Sequence, residues 1–265
     1  MLAALTIGTI LVGAALGAGV AWLLMRKRGR AMAPLILVGA LAGAIAAYFS
    51  VTPAITGEWV MRRARAELLA IPVYQVLERH EPIVFERLLA EYRLVVIDRS
   101  RIDTYTHVAN TEIGTVATRH IAHASDPALL ALMQDMLDKL QVLRARSPED
   151  CYRYLFPRAV GPADLPRWFD RGAQARTLAR MADVIRTSAE HPVAVPPREK
   201  VEPLLSPIVN EMYAQFGENT SLLSRAEERG VNHATVCAIA TTLYEKVMRL
   251  PPADAAAVIR SMTQL

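Results

Sequence analysis

Cysteine is nearly absent from this chain: two residues in 265, Cys151 and Cys237. So few exclude a disulfide-rich scaffold, and the fold has to be held by its apolar core. The motifs that announce chemistry are missing too. No G-x-S-x-G, H-E-x-x-H, G-x-x-x-x-G-K-[ST] or G-x-G-x-x-G occurs, so nothing points to a serine hydrolase elbow, a zincin helix, a P-loop or a dinucleotide fold. Acidic residues are absent from positions 1–52, where Arg26, Lys27, Arg28 and Arg30 are the only charged side chains. The remaining 26 cations are balanced by all 26 carboxylates, so the net charge of +4 belongs to the N-terminal stretch alone. With no basic stripe interleaved with aromatics, nucleic-acid binding is excluded.

What the N-terminus does have is apolar length. Residues 2–25 carry no charge, and neither do residues 31–50. About 20 helical residues cross a ~30 Å hydrocarbon core, so each run is long enough to be a transmembrane helix. Pro34 sits in the first turn of the second run, where its missing N–H costs no helix bond. Residues 1–52 therefore read as a hairpin anchored in the bilayer through residues 2–50. Small residues recur every fourth position, at Gly13, Gly17 and Ala21 and at Gly39, Gly43 and Ala47, a spacing that lets two helices approach closely in lipid. Trp22 on one side, and Tyr48, Phe49 and Trp59 on the other, suit the two interfacial belts.

Orientation follows from the knot between the runs. Arg26, Lys27, Arg28 and Arg30 form a short cationic loop, and such loops stay on the cytoplasmic side. Both ends of the hairpin then face outward, which places residues 53–265 in the periplasm of a bacterial inner membrane. Arg62, Arg63 and Arg65 argue the other way, but they lie farther along and share their stretch with Glu58 and Glu67. A start at Met25 would make the basic hexad a leader to a single span, with the same outcome for the rest of the chain.

The remaining residues read as all-α, an irregular multi-helix domain. Helical periodicity runs from Glu58 to Arg79 with Pro72 interrupting it, and again from Pro82 with Phe85, Leu88, Leu89 and Tyr92 on one face. Leu94 to Ile97 has strand character but no second strand to pair with, so helix or an extended linker is preferred there. Residues 101–123 form a threonine-rich helix. Ser125-Asp126-Pro127 opens the clearest helix, whose Leu129, Met133, Met136, Leu140 and Leu143 make one apolar seam. A short helix follows Ser147-Pro148, residues 157–172 read as loop, and Leu178, Met181, Ala182 and Ile185 mark another helix. Pro192, Pro196, Pro197 and Pro203 mark a boundary between a first helical part, 53–192, and a C-terminal part, 193–265, which together can still form one domain. In the latter, Ser206-Pro207 is expected to start a helix that Gly217 closes, residues 221–229 a short one, and Val236, Ala240, Leu243, Val247 and Leu250 the seam of the last long one.

Three groups of residues are candidates for chemistry. Cys151 and Cys237 are expected to pair in an oxidising compartment, joining the short helix after Ser147 to the last long helix. His120 and His123 form H-x-x-H, which shares a helix face, with Glu112 two turns back, and the three would seed a metal site if other ligands joined them. Solvated helix-end histidines are the competing interpretation. Glu81, Glu86, Glu91, Asp98 and Asp103 show no spacing that singles out an acid–base pair, and are read as a solvated face. No catalytic residue and no cofactor is expected. The expectation for function is a membrane-anchored helical module that binds another protein, as an envelope scaffold, an assembly factor or a toxin inhibitor of the immunity type. The alternative is a membrane-tethered, metal-dependent hydrolase built on His120, His123 and Glu112.

Overall fold

The computed structural model describes residues 57–160, 165–228 and 230–263, and among these every regular element is helical. The two apolar runs, the cationic knot at Arg26, Lys27, Arg28 and Arg30, and the glycines Gly13, Gly17, Gly39 and Gly43 lie outside the described residues. Among the described residues no helix is long and apolar enough to cross a membrane.

The order is α1 (57–69), α2 (Pro72–His80), α3 (Pro82–Ile97), a 3-10 turn at Arg99–Arg101, α4 (Ile102–Ile121), α5 (Asp126–Arg146), α6 (Pro148–Leu155), α7 (Pro157–Val160), α8 (Leu165–Trp168), α9 (Arg171–Glu190), α10 (Arg198–Phe216), a 3-10 segment Gly217–Arg225, α11 (His233–Met248) and α12 (Pro252–Met262). Five of these helices open on a proline. Proline at the first helical position has the helical φ already and no N–H to waste, while it drives the residue before it out of the helical region. Ile71 (φ −105°, ψ 122°), Glu81 (φ −135°, ψ 56°) and Ser147 (φ −158°, ψ 109°) all show that displacement. Each X-Pro step therefore closes one helix and opens the next with almost no loop.

The chain divides into two compact units. The smaller takes α1 up to Leu68 together with Leu89–Arg99. Val60, Ala64 and Leu68 bury one stripe of α1. Along its flank runs a ladder at i, i+4, i+8: the Arg63 guanidinium lies 5.3 Å from the Trp59 ring centre, Arg63 Nε donates to Glu67 (2.7 Å), and Glu67 also accepts from Tyr92 Oη (2.8 Å) and Arg99 (3.1 Å). The hydrogen bond from Arg63 outweighs the opposing effect of burial, and Tyr92 and Arg99 reinforce it, so the Glu67 carboxyl is held down at about 2 from 4.5. Burial and the Glu67 carboxylate push the Tyr92 phenol up.

The larger unit, Leu69–Leu88 with Ser100–Leu265, is assembled on α5. Helix α9 packs on α2, α4 and α5; α11 and α6 pack on α5 and on each other; α12 packs on α5 and α10. The expected seam is in place, with Leu129, Leu140 and Leu143 fully buried and Met133 nearly so, but burial extends around α5 to Ala128, Leu132, Leu137 and Lys139. Lys139 Nζ meets Asp135 Oδ2 at 2.5 Å, one turn back, and touches Thr177 Oγ1 on α9, which itself donates to Asp135 (2.7 Å). The Phe169 ring, edge-on to Tyr154, lies 5.6 Å from the ammonium.

Leu94–Ile97 completes α3 as helix, one of the two forms expected for it. Other expectations are corrected. The 157–172 stretch contains two one-turn helices, α7 and α8, with Trp168 buried as its apolar bulk requires. Helix α9 starts at Arg171, where the Asp170 side chain accepts from the Ala173 N–H (2.7 Å). Helix α10 begins at Arg198, before Ser206-Pro207, with Pro203 and Pro207 inside it. They stand one turn apart on its exposed side, so the carbonyls they leave unpaired face water and not the core. Gly217 closes that helix at φ 57°, a left-handed conformation that glycine adopts without strain. Residues 217–225 then continue as 3-10 turns. The prolines at 192–197, expected either to divide two parts or to cross one domain, lie within the larger unit.

Two outcomes follow. A carboxylate with a depressed folded pKa contributes stability above its unfolded value that is lost as pH falls toward the folded one. The stability difference between the native chain and Glu67→Gln should thus be constant above about pH 4.5 and vanish toward pH 2, read by denaturant titration at each pH. Lys139→Met should cost about 3–5 kcal/mol by leaving Asp135 buried without its cation, and Lys139→Met with Asp135→Leu should cost less than the single change. A double variant as unstable as the sum of the singles would show that the pair is not coupled.

Candidate functional site

The richest set of titratable side chains in the larger unit gathers where α2, α4 and α9 end. Glu81 is the single residue between α2 and α3: its N–H closes α2 on Leu77 O (2.8 Å), its carbonyl accepts the Phe85 N–H (3.0 Å) that opens α3, and Pro82 keeps its own backbone non-helical. The carboxylate is thereby aimed at the last turn of α4. His120 Nε2 lies 2.9 Å from Glu81 Oε1, Arg119 reaches Glu81 Oε2 at 3.3 Å, and His120 Nδ1 lies 3.1 Å from Ser188 Oγ on α9. A carboxylate only accepts, so Nε2 carries a proton; in the neutral ring Nδ1 then accepts from the Ser188 hydroxyl. Beside this row, Glu190 at the end of α9 meets Arg186 (3.6 Å), Arg79 (4.0 Å) and His80 Nε2 (3.5 Å), the last without hydrogen-bond geometry.

The other half of H-x-x-H does a different task. His123 Nδ1–H donates to Val193 O (3.0 Å), while the Val193 N–H donates to His123 O (2.9 Å). His123 thus brackets both backbone groups of Val193, in the proline segment after α9. The same turn is held from two further sides: Thr187 Oγ1 accepts the Ser125 N–H (3.2 Å), and Arg260 of α12, 3% exposed, donates to Ala124 O (2.5 Å) and Asp126 (2.6 Å).

The third candidate, Glu112, faces Arg87 on α3 at 2.9 Å. Each member of the proposed metal set therefore has a partner of its own, and among the described residues no three His, Cys, Asp or Glu side chains gather as metal ligands would. The constellation on which the metal-dependent alternative depended is not formed. The carboxylate–imidazole–hydroxyl row has the connectivity of a proton relay, but Ser188 is 8% exposed inside the last turns of α9, where backbone N–H groups are committed to the helix. What the row does is tie three helix ends together.

Cys151 on α6 and Cys237 on α11 are joined through their sulfurs, with Cα atoms 5.9 Å apart. Both are fully buried, among Leu140, Leu143 and Trp168. A bond so enclosed is shielded from thiolate attack and acts as a brace. Next to it Tyr152 donates to Ala226 O and stacks on the His233 ring at 3.8 Å, and His233 Nδ1 meets Glu149 at 2.5 Å. Burial pushes the Tyr152 phenol up, with the Glu227 and Glu149 charges adding. The apolar surroundings differ from a simple face-to-face pairing of α6 with Ile239 and Leu243, since those two side chains turn toward Leu129, Val258 and Ile259 in a separate cluster.

Sequence reasoning missed Glu81, Ser188, Thr187 and Arg260 as partners. Their separations, from 39 to 136 residues, leave no local spacing to read. Arg260 alone left a trace, as the cation that directly follows the apolar run Ala255 to Ile259.

No protein-family model matches the chain, and no curated protein or solved structure matches it either.

His120→Ala should lower stability by about 1–3 kcal/mol, because it strands the Ser188 hydroxyl in a buried position. Ser188→Ala in the His120→Ala background should cost clearly less than in the native chain. Equal costs in the two backgrounds, measured by chemical denaturation, would show that the two groups do not interact.

Proposed function

We propose that this chain is a bacterial envelope protein, held in the inner membrane by its N-terminal hairpin, whose helical part stands in the periplasm and binds another protein as a scaffold, assembly factor or inhibitor. The observation that carries the reading is the bond between Cys151 and Cys237, the only two cysteines, drawn from positions 86 residues apart. Paired structural cysteines belong to oxidising compartments, and the cationic knot between two uncharged runs assigns the chain after the hairpin to that same side. The two arguments are independent, one from topology and one from redox chemistry. A binding role agrees with a body whose polar clusters cross-link helices. It agrees also with the large apolar side chains that the larger unit leaves exposed, Ile83 (78%), Val142 (55%) and Tyr213 (47%).

Topology is tested by fusing alkaline phosphatase after residue 60, at the C-terminus and at Arg28: activity in the first two and none in the third is expected, and the reverse pattern overturns the reading. In the native, unreduced protein neither cysteine should react with a thiol reagent. Reduction should remove on the order of 4–5 kcal/mol in the chain-entropy description of a loop this long, seen as a lower Tm. Photocrosslinking residues placed at Ile83, Val142 and Tyr213 in intact membranes should give one discrete adduct at one or more positions, and none at all three would count against a protein partner.

A further inference from the structure

We infer that the Cys151–Cys237 bond is introduced by a thiol oxidase while the larger unit is still open, so that oxidation precedes the docking of α6 and α11 on α5; this rests on the periplasmic reading. The first support is the enclosure of the finished bond. Both cysteines are 0% exposed and are packed with Leu140, Leu143 and Trp168. Thiol–disulfide exchange passes through the same mixed disulfide in both directions, and each direction needs a thiolate in reach of an accessible sulfur. The cover that bars a reductant from the closed fold therefore bars an oxidase as well. Cys237 Sγ has the Thr241 hydroxyl at 4.0 Å, a group with no charge to favour a thiolate.

The second support is the order of the elements along the chain. Cys151 lies in α6, whose eight residues run from Pro148 to Leu155. Helices below about 12–15 residues are marginal in water on their own, so α6 forms lastingly only as it docks, and its thiol stays presentable until then. Cys237 comes before α12, which supplies Ala255, Ala256, Val258 and Ile259 to the main core cluster and Arg260 to the turn that precedes α5. In a chain exported from its N-terminal side, both thiols reach the outer compartment before those contacts can form. The core is thus incomplete when an oxidase first meets the pair.

The chemistry balances within that encounter. One cysteine thiolate attacks the disulfide of the oxidase, releasing one oxidase thiolate and forming a mixed disulfide. The other cysteine thiolate attacks the chain's own sulfur in that bond, which closes Cys151–Cys237 and releases the second oxidase thiolate. The two thiols give up two protons and two electrons, and the oxidase ends as a dithiol.

The test uses the full chain in detergent micelles with Trp22→Phe and Trp59→Phe, which leaves Trp168, packed beside the disulfide, as the reporter of closure. The chain is unfolded and reduced, freed of reductant, and transferred to native buffer. After increasing delays it receives a short pulse of a purified thiol oxidase in its disulfide form, and the remaining thiols are alkylated and counted by mass. The pulse should oxidise the pair at short delays. Its yield should then fall by about tenfold or more in step with the blue shift of Trp168, because attack has to wait for an opening of the fold. A reduced chain whose Trp168 stays solvated until the pulse would show the same order, oxidation before closure. A yield that stays high after Trp168 is buried, or an open chain that the pulse fails to oxidise, would overturn the inference. The compartment is read apart from this by the phosphatase fusions. A cytoplasmic pattern there would overturn the periplasmic reading and remove the oxidase with it, whereas a periplasmic pattern with a high late yield would overturn the inference alone.

Discussion

The larger unit depends on one helix, α5, whose buried side is broad and whose solvent side is marked by Gln134, Asp138, Gln141 and Val142. Around α5 the buried positions Ala128, Leu129, Leu132, Met133, Leu137, Leu140 and Leu143 cover about half of the circumference at 100° per residue, because α9 packs on one side and α6, α11 and α12 on others. Each fully buried leucine contributes about 1.5–3 kcal/mol, so this helix supplies much of the driving force for the unit. It also carries Lys139 into that environment, where an unpaired ammonium would cost more than any one leucine contributes. Asp135 one turn back, Thr177 from α9 and the face of Phe169 surround it. Apolar seams tolerate a shift of register between two helices, whereas the Lys139–Asp135–Thr177 cluster can close in only one, and so it sets how α9 lies on α5.

The burial that makes α5 effective shapes its neighbours. Tyr154 is edge-on to Phe169, and its phenol is pushed well above the usual range by burial, with Asp135 adding to the effect. It remains a neutral packing group at any pH a cell maintains. Beyond that layer Cys151 and Cys237 brace α6 against α11, both of which also rest on α5. The covalent brace thus closes over the part of α5 that contains Leu140 and Leu143, while Arg260 and Thr187 hold the turn just before α5 begins. Both ends of the central helix are therefore held by contacts from far along the chain.

Much of this fold was legible because its punctuation is made of proline. Pro72, Pro82, Pro148 and Pro252 each open a helix, and a ring without an N–H marks such a start whatever packs nearby. The same signal misled in α10, where Pro203 and Pro207 fall inside the helix. Proline forbids a backbone donor without forbidding a helix, and on an exposed face water satisfies the freed carbonyls. Amphipathic periodicity located α5 and α11 but understated α5, since a seam says which residues must be buried and not how many others neighbours will cover. The disulfide was legible from the count of cysteines and the compartment expected for them. The polar corner was not: His120 and His123 stand three apart and share a helix, yet one serves Glu81 and Ser188 while the other serves Val193.

That divergence explains why a histidine pair on one helix end need not hold a ligand. The last turn of α4 lies where α2, α9 and the proline segment converge, and each arriving element brings polar groups that its own helix end cannot satisfy. Glu81 is forced out of helical geometry by Pro82, and Val193 follows Pro192 in extended chain that has no ladder to join. Imidazole suits both needs, since it donates to a carboxylate or carbonyl through one nitrogen and leaves the second for a hydroxyl. At His120 a metal would have to compete for nitrogens already engaged, and it would release a half-buried carboxylate and a buried hydroxyl in doing so. The corner is thus already satisfied by the fold.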